Sequence, residues 1–268
     1  MKYYLENLQS LEGLMGGHHA KTGSPTEDGN QDIALHIFDT IGIEHKFVLD
    51  IGAFSTNASN VVPIMKKYNI PGLLLDGANK YNDPEIIKTW ITVENVQELL
   101  QSLNCPKNLD YISLDIDNMD YWIIKAVLDS GYLSNLLIIE FNPLWSYNEA
   151  YTKKYNPKGN KNDSSTDYTS NYGASLYAFT KLLEKYGYRL IHVMKQNTHG
   201  DPSSNNAFFI QEKFDTENLF ANQKEVIKQL FPTSFIESFK RNKTFAKFNA
   251  TNEYEVKEIL KRDWFTEV

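Results

Sequence analysis

Acidic side chains close several of the apolar runs in this sequence, and they are where it offers chemistry. Asp50 ends "KFVLD", Asp76 ends "GLLLD", Asp115 and Asp117 end "DYISLDID", and Glu140 with Asn142 ends "LLIIEFN". A carboxylate can accept hydrogen bonds from hydroxyls, ligate a hard cation or take up a proton. Side chains two apart on an extended chain project to the same side. Asp115 with Asp117, and Glu140 with Asn142, are therefore expected to converge on one rim. Four oxygen-bearing groups there would suit magnesium or manganese, or proton removal from a hydroxyl. Asp115, Asp117 and Glu140 are the catalytic candidates, and the same three with Asn142 are the metal-ligand candidates. For Asp117 a plainer alternative stands beside this: Asp117-Asn118 could simply cap the following helix.

The loop after the first of these runs, "DIGAFSTNASN", has the position of a cofactor-binding turn but only one glycine. Asp50, Gly52 and Ala53 are its candidate cofactor contacts. Asp76-Gly77 follows a little over 20 residues after Gly52, where a nucleoside-binding sheet places an acid on the ribose hydroxyls. Asp-Gly is also an ordinary turn dipeptide. The missing glycines separate cofactor classes. A pyrophosphate needs close backbone approach over a glycine-rich run, whereas S-adenosylmethionine carries no phosphate and tolerates side chains there. A nicotinamide dinucleotide is disfavoured and S-adenosylmethionine is allowed.

These residues need a scaffold, and the pattern around them supplies one. Strand-like runs (46–52, 72–77, 110–117, 136–142) alternate with helical patterns, which predicts βαβ units and a parallel sheet covered on both faces. A helix is expected from Gln31 to near Gly42, another at "NVVPIMKKYN" and another at "VENVQELLQSL". Gly131 should end the helix "MDYWIIKAVLDSG". "GASLYAFTKLLEKYG" has a clear amphipathic spacing. "YRLIHVM" and "NNAFFIQ" read as a closing antiparallel pair. The polar stretch 151–172 reads as a long loop. Its aromatic and basic residues, with Trp145 and Tyr147 just before it, could close over an acceptor or pack the loop down. His36 and His192 fall on helix and strand patterns and read as structural.

Composition narrows the partners. The net charge of −7 and pI near 5.4 argue against nucleic acid. "FKRNKTFAKF" reads as a solvated amphipathic element. With one cysteine, Cys105, no intramolecular disulfide can form. No apolar run approaches a membrane span, and the N-terminal residues lack a signal-peptide pattern, so no membrane partner and a cytoplasmic location are expected.

The ordered blocks "SPTEDGNQDIALHIFDTIG", "KFVLDIGA", "GLLLDG", "DYISLDIDNMDYWIIKAV", "LLIIEFNP" and "NNAFFI" resemble a group of class I S-adenosylmethionine-dependent methyltransferases related to the FkbM-type enzymes. The resemblance runs over roughly residues 24 to 210. It implies an α/β Rossmann-like sheet of seven strands, mostly parallel with one antiparallel strand and helices on both faces. It also implies S-adenosylmethionine as cofactor. Gly52 would turn under the cofactor's methionine part and Asp76 would hold its ribose. Glu27, Asp28 and Gly29 would lie in a loop at the mouth, and Asp115 would face the methyl group. Two departures stand out: "A-F-S-T" where the group has "A-x-D-G", and Asn118-Met119 where it has "G-N".

Three segments are expected: residues 1–30 as a helix and loop covering the crevice, 31–212 as the methyltransferase domain, and 213–268 as a helical extension. His18, in a Gly-flanked loop beside His19, would become a general base if the first segment folds over the crevice. The expected activity is O-methylation of a small polar acceptor, sugar-like or phosphorylated. The alternative is a non-catalytic relative that binds a nucleoside-type ligand or a partner.

Overall fold

In this computed structural model, the residues described are 30–142, 145, 147–156, 173–193, 206–214, 254, 257, 258, 261 and 265–268. His18, Glu27, Asp28 and Gly29 lie outside them, as do Lys158, Tyr168, Tyr172 and the "FKRNKTFAKF" segment.

The chain begins its described part with helix α1 (Asn30–Ile41), stopped at Gly42 with φ +77°. Strand β1 (Val48–Ile51), helix α2 (Val62–Tyr68), β2 (Gly72–Asp76) and the short β3 (Ile87–Lys88) follow. Pro63 lies in the first turn of α2, where its missing N–H costs nothing. Then come α3 (Val96–Ser102), β4 (Asn108–Leu114), α4 (Asp120–Asp129), β5 (Leu133–Glu140) and β6 (Tyr151–Lys153). Helix α5 (Leu176–Glu184) is capped by Ser175, whose hydroxyl accepts the Ala178 N–H. Strands β7 (Tyr188–Val193) and β8 (Asn206–Gln211) and a last strand β9 (Phe265–Glu267) complete the order.

Seven strands form one sheet in the order β3-β2-β1-β4-β5-β8-β7. Neighbours from β3 to β5 run parallel, and β8 is antiparallel to both β5 and β7. The sheet is the one the resemblance implies: seven strands, mostly parallel, with a single antiparallel strand. Alternation along the strands feeds two cores. In β5, Leu137 and Ile139 pack with α3, α4 and α5, while Leu136 and Ile138 face α1 and α2. Each fully buried aliphatic or aromatic side chain contributes about 1.5–3 kcal/mol through apolar burial.

The chain leaves β1 toward β2 and β3, then crosses back to place β4 on the other side of β1. That reversal opens a crevice at the carboxyl ends of β1 and β4. The opposite end of β4 is closed. There the buried Asp110 accepts the backbone N–H groups of Glu44, His45 and Lys46 at 2.7, 3.1 and 2.5 Å, and Nδ2 of Asn135 at 3.2 Å.

Few residues of the expected helical extension are described. Residues 254, 257, 258 and 261 are helical, but Phe265–Glu267 form a strand antiparallel to β6. Trp145 lies buried between Tyr151 and Phe265, at ring distances of 4.7 and 5.0 Å. The chain's last residues thus brace the segment that follows β5. Among the described residues no helix is long and apolar enough to cross a membrane.

Candidate functional site

At the carboxyl ends of β1, β2 and β4 lies a cavity of about 540 Å³. All the described cofactor-contact candidates line it: Asp50, Gly52, Ala53, Asp76, Gly77 and Asp115. Asp117 lines it too. The described wall carries four carboxylates and no lysine, arginine or histidine.

Gly52 is fixed by backbone, whatever it does for a ligand. Its φ is +92°, and a Cβ there would fall 1.7 Å from the Asp115 carbonyl oxygen. The carbonyl of Ile51 accepts the Asp115 N–H at 2.9 Å, so the ends of β1 and β4 meet at this glycine. Gly77 makes room in the same way for the Trp90 ring, which would lie 2.7 Å from its Cβ.

Asp50 stands opposite Ser113 in the β1–β4 register and is buried. Ser59 donates its hydroxyl to Oδ2 at 2.5 Å, and Ser113 also bonds the carboxyl. Asn60 Nδ2 in turn donates to Ser113 Oγ at 3.1 Å. Burial outweighs these bonds and pushes the Asp50 pKa up to about 6.

Asp76 fills the turn role expected of Asp-Gly. Its Oδ1 accepts the backbone N–H of Ala78 at 2.8 Å and that of Asn79, closing its own turn. No described residue bonds Oδ2.

Asp115, Asp117 and Glu140 each bring a carboxylate oxygen within 4.8 Å of the others, but by another route than the one expected. Strand β4 ends at Leu114, so alternation no longer governs Asp115 and Asp117. Their convergence comes from the turn, in which Asp117 adopts φ +69°, a left-handed conformation that aspartate tolerates. Asp117 is solvent-exposed, yet protein surrounds it closely enough for desolvation to raise its carboxyl pKa. Water reaches the group without hydrating it fully. Asp117 does not cap α4, whose N-cap position is Met119 and which has no side-chain cap; the buried Asp120, its first residue, instead reaches back and accepts the Ile116 N–H at 2.9 Å, closing the turn before the helix. Burial raises its pKa to about 7.

Asn142 departs from the expected ligand set. Strand β5 stops at Glu140, so the two-residue repeat does not extend to it. It is buried, donates its backbone N–H to Ala174 O at 2.7 Å, and is not part of the cavity wall. Asn206 is on that wall instead, in register opposite Glu140 on β8.

Of the aromatic and basic cluster, the described members Trp145, Tyr147, Tyr151, Lys153 and Tyr155 make contacts within the protein. Lys153 is buried and donates to Asn118 Oδ1 at 2.7 Å. Tyr147 lies on Tyr177, and Tyr155 donates to Glu94 while lining the cavity. Helix α4 is tied to this strap by Trp122, whose indole N–H donates to Lys153 O at 2.8 Å.

Among the wall residues that were not site candidates in the sequence are Asn30, Phe54, Trp90 and Asn206. Phe54 is exposed, has φ +53°, and meets the exposed Tyr81 ring at 5.2 Å. A bulky side chain in a left-handed conformation is unusual. Exposed aromatics around a cavity mouth leave no trace in sequence periodicity.

No family model matches the chain, and no curated protein does. Among solved structures it is similar to the N-terminal domain of EvdMO1 with SAH bound, at 11% identity and TM-score 0.40, over 71% of this chain and 84% of that one. It is similar to a S-adenosylmethionine-dependent methyltransferase from Clostridium acetobutylicum ATCC 824 at 10% identity and TM-score 0.38, over 74% and 96%. LepI in complex with SAM follows at 15% identity and TM-score 0.34, over 68% and 46%.

Proposed function

We propose that the protein is an S-adenosylmethionine-dependent O-methyltransferase acting on a small hydroxylated acceptor of sugar-like character. The charge of the cavity wall carries the reading. Four carboxylates and no cationic side chain among its described residues repel the phosphates of a dinucleotide or nucleoside triphosphate and favour a sulfonium. A phosphorylated acceptor fits this wall less well than a neutral polyol, which brings no charge against Asp115 and Asp117. The blocks that resemble the FkbM-type group supply Gly52, Asp76, Asp115 and Asn206 to the same cavity.

In this reading Asp76 Oδ2 accepts from the ribose hydroxyls, and Trp90 and Phe54 offer apolar faces to the purine. The acceptor oxygen attacks the methyl carbon in line. A C–O bond forms as the C–S bond breaks, and the hydroxyl proton passes to a carboxylate of the Asp115–Asp117–Glu140 group. Three carboxylates within 4.8 Å favour one proton or one cation shared among them. Magnesium or manganese held by these three would supply a lowered hydroxyl pKa. Full turnover in excess EDTA would leave the carboxylate as base and remove the metal from the account.

Transfer of a labelled methyl group from S-adenosylmethionine to a panel of free sugars and polyols tests the reading. The expected result is incorporation that Asp115→Asn lowers about 10²-fold, the lower range for general acid–base catalysis. Cofactor binding without transfer to any hydroxylated acceptor would reject the O-methylation of sugars.

A further inference from the structure

Helix α1 brings its first residue, Asn30, to the cavity wall. The residue is 1% exposed, and its Oδ1 has no hydrogen-bond partner among the described residues. A buried carbonyl oxygen without a donor is costly, and native structures retain few of them. Asn30 is also held in place. Ile33, Ala34, Ile37 and Phe38 anchor α1 in the core against β4, β5 and β8, and Gln31 Nε2 donates to Ser59 O at 3.0 Å. Rotation of the helix could not carry the amide to water without pulling these residues out of the core.

The surroundings define what donor this oxygen is suited to. No side chain on the described wall carries a cationic N–H. The nearby Ser59 hydroxyl is engaged with Asp50. Asn30 borders the loop after β1, whereas the nucleoside contacts Asp76, Gly77 and Trp90 come from the ends of β2 and β3. A ligand laid along this crevice with its nucleoside at β2 brings its other end toward α1. In a sulfonium cofactor that end is an amino acid, and its ammonium has three N–H donors while the sulfonium has none.

We propose that Asn30 is a binding residue for the amino-acid end of the methyl donor, its Oδ1 accepting a hydrogen bond from the ammonium group. This rests on the S-adenosylmethionine reading above and adds to it a residue that discriminates the whole cofactor from its truncated nucleoside.

Calorimetry with S-adenosylhomocysteine and with 5′-methylthioadenosine tests it, since the two share the adenosine and thioether and differ at the amino-acid end. Asn30→Ala should weaken S-adenosylhomocysteine at least tenfold, within the range for a hydrogen bond to a charged group, and change methylthioadenosine less than twofold. Asn30→Asp, which keeps an acceptor at the same place, should restore S-adenosylhomocysteine affinity to within about threefold of the starting protein. Asn30→Leu removes the partnerless buried amide and should melt no lower than the starting protein in the absence of ligand, while losing the same selectivity. Unchanged S-adenosylhomocysteine affinity in Asn30→Ala, or an equal loss for both ligands, would overturn the assignment of Asn30 alone. Failure of the unsubstituted protein to bind either ligand would overturn the methyl-donor reading, and this inference with it.

Discussion

Asp76 has one carboxylate oxygen in a turn and the other unbonded among the described residues at the cavity wall, so the turn and the proposed ribose contact can be separated by substitution. Asp76→Asn keeps an acceptor for the Ala78 and Asn79 N–H groups and removes the charge. It should melt like the starting protein and bind S-adenosylmethionine about tenfold more weakly by calorimetry. Asp76→Ala should lose affinity and stability together. Equal cofactor affinity in Asp76→Asn would take the ribose role away from this residue. Asp76, Asp50 and Asp115 could be found in the sequence because each closes an apolar run, a one-dimensional signal for the carboxyl edge of a sheet. Asn142 misled for the reciprocal reason, since strand parity ends where the strand does, and the sequence does not mark that residue. Asn30 and Asn206 carry no signal of their own, because an asparagine at the first position of a helix or strand reads as a cap.

Among the elements, the β1–β4 junction and the base of β4 make opposite demands. At the junction, Gly52→Ala places a Cβ on the Asp115 carbonyl in a positive-φ conformation. The conformation alone costs about 1–3 kcal/mol, and the clash forces the two strand ends apart. Cofactor binding should vanish in calorimetry, with the melting temperature down by several degrees. Retained affinity would show that the two strand ends do not need this close approach. At the base, Asp110→Ala strips the partner from three backbone N–H groups, each costing about 1–3 kcal/mol if left unpaired, and leaves the Asn135 amide only Glu44 to donate to. It should unfold the protein far below its normal temperature or prevent folding; a native melt would contradict its bracing role. Most elements were legible: alternation with 3.6-residue spacing gave α1 to α5, and short β-branched and leucine runs gave β1, β2, β4, β5, β7 and β8. Strand β6, which reads as the start of a loop, was not, and neither was its partner β9, because their pairing decides both. The local pattern of β9, "WFTEV", is too short to show a period.

For the whole molecule, two buried acids set an unusual dependence on pH. Asp50 and Asp120 are raised by burial to about 6 and about 7 from an ordinary value of 3.8. Protonated in the folded state and ionised in the unfolded one, they contribute stability below about pH 4 that is lost as pH rises through 6 and 7. Asp39, Glu44 and Asp129 are lowered by hydrogen bonds from Lys67, Lys213 and Lys125 respectively. They act in the other direction, and their contribution is lost as pH falls through their lowered values. The melting temperature should therefore be higher near pH 5 than at pH 8, and Asp120→Asn should flatten the upper part of that slope. A melting temperature that rises steadily from pH 5 to pH 8 would show that neither acid titrates as its burial requires. Acid is also concentrated at the crevice, where four wall carboxylates would favour a cationic ligand over a phosphorylated one. Native mass spectrometry of the protein with equimolar S-adenosylmethionine, NAD and ATP measures that choice directly. The account predicts a single adduct, of S-adenosylmethionine, that is lost in Gly52→Ala; an NAD or ATP adduct in its place would contradict it.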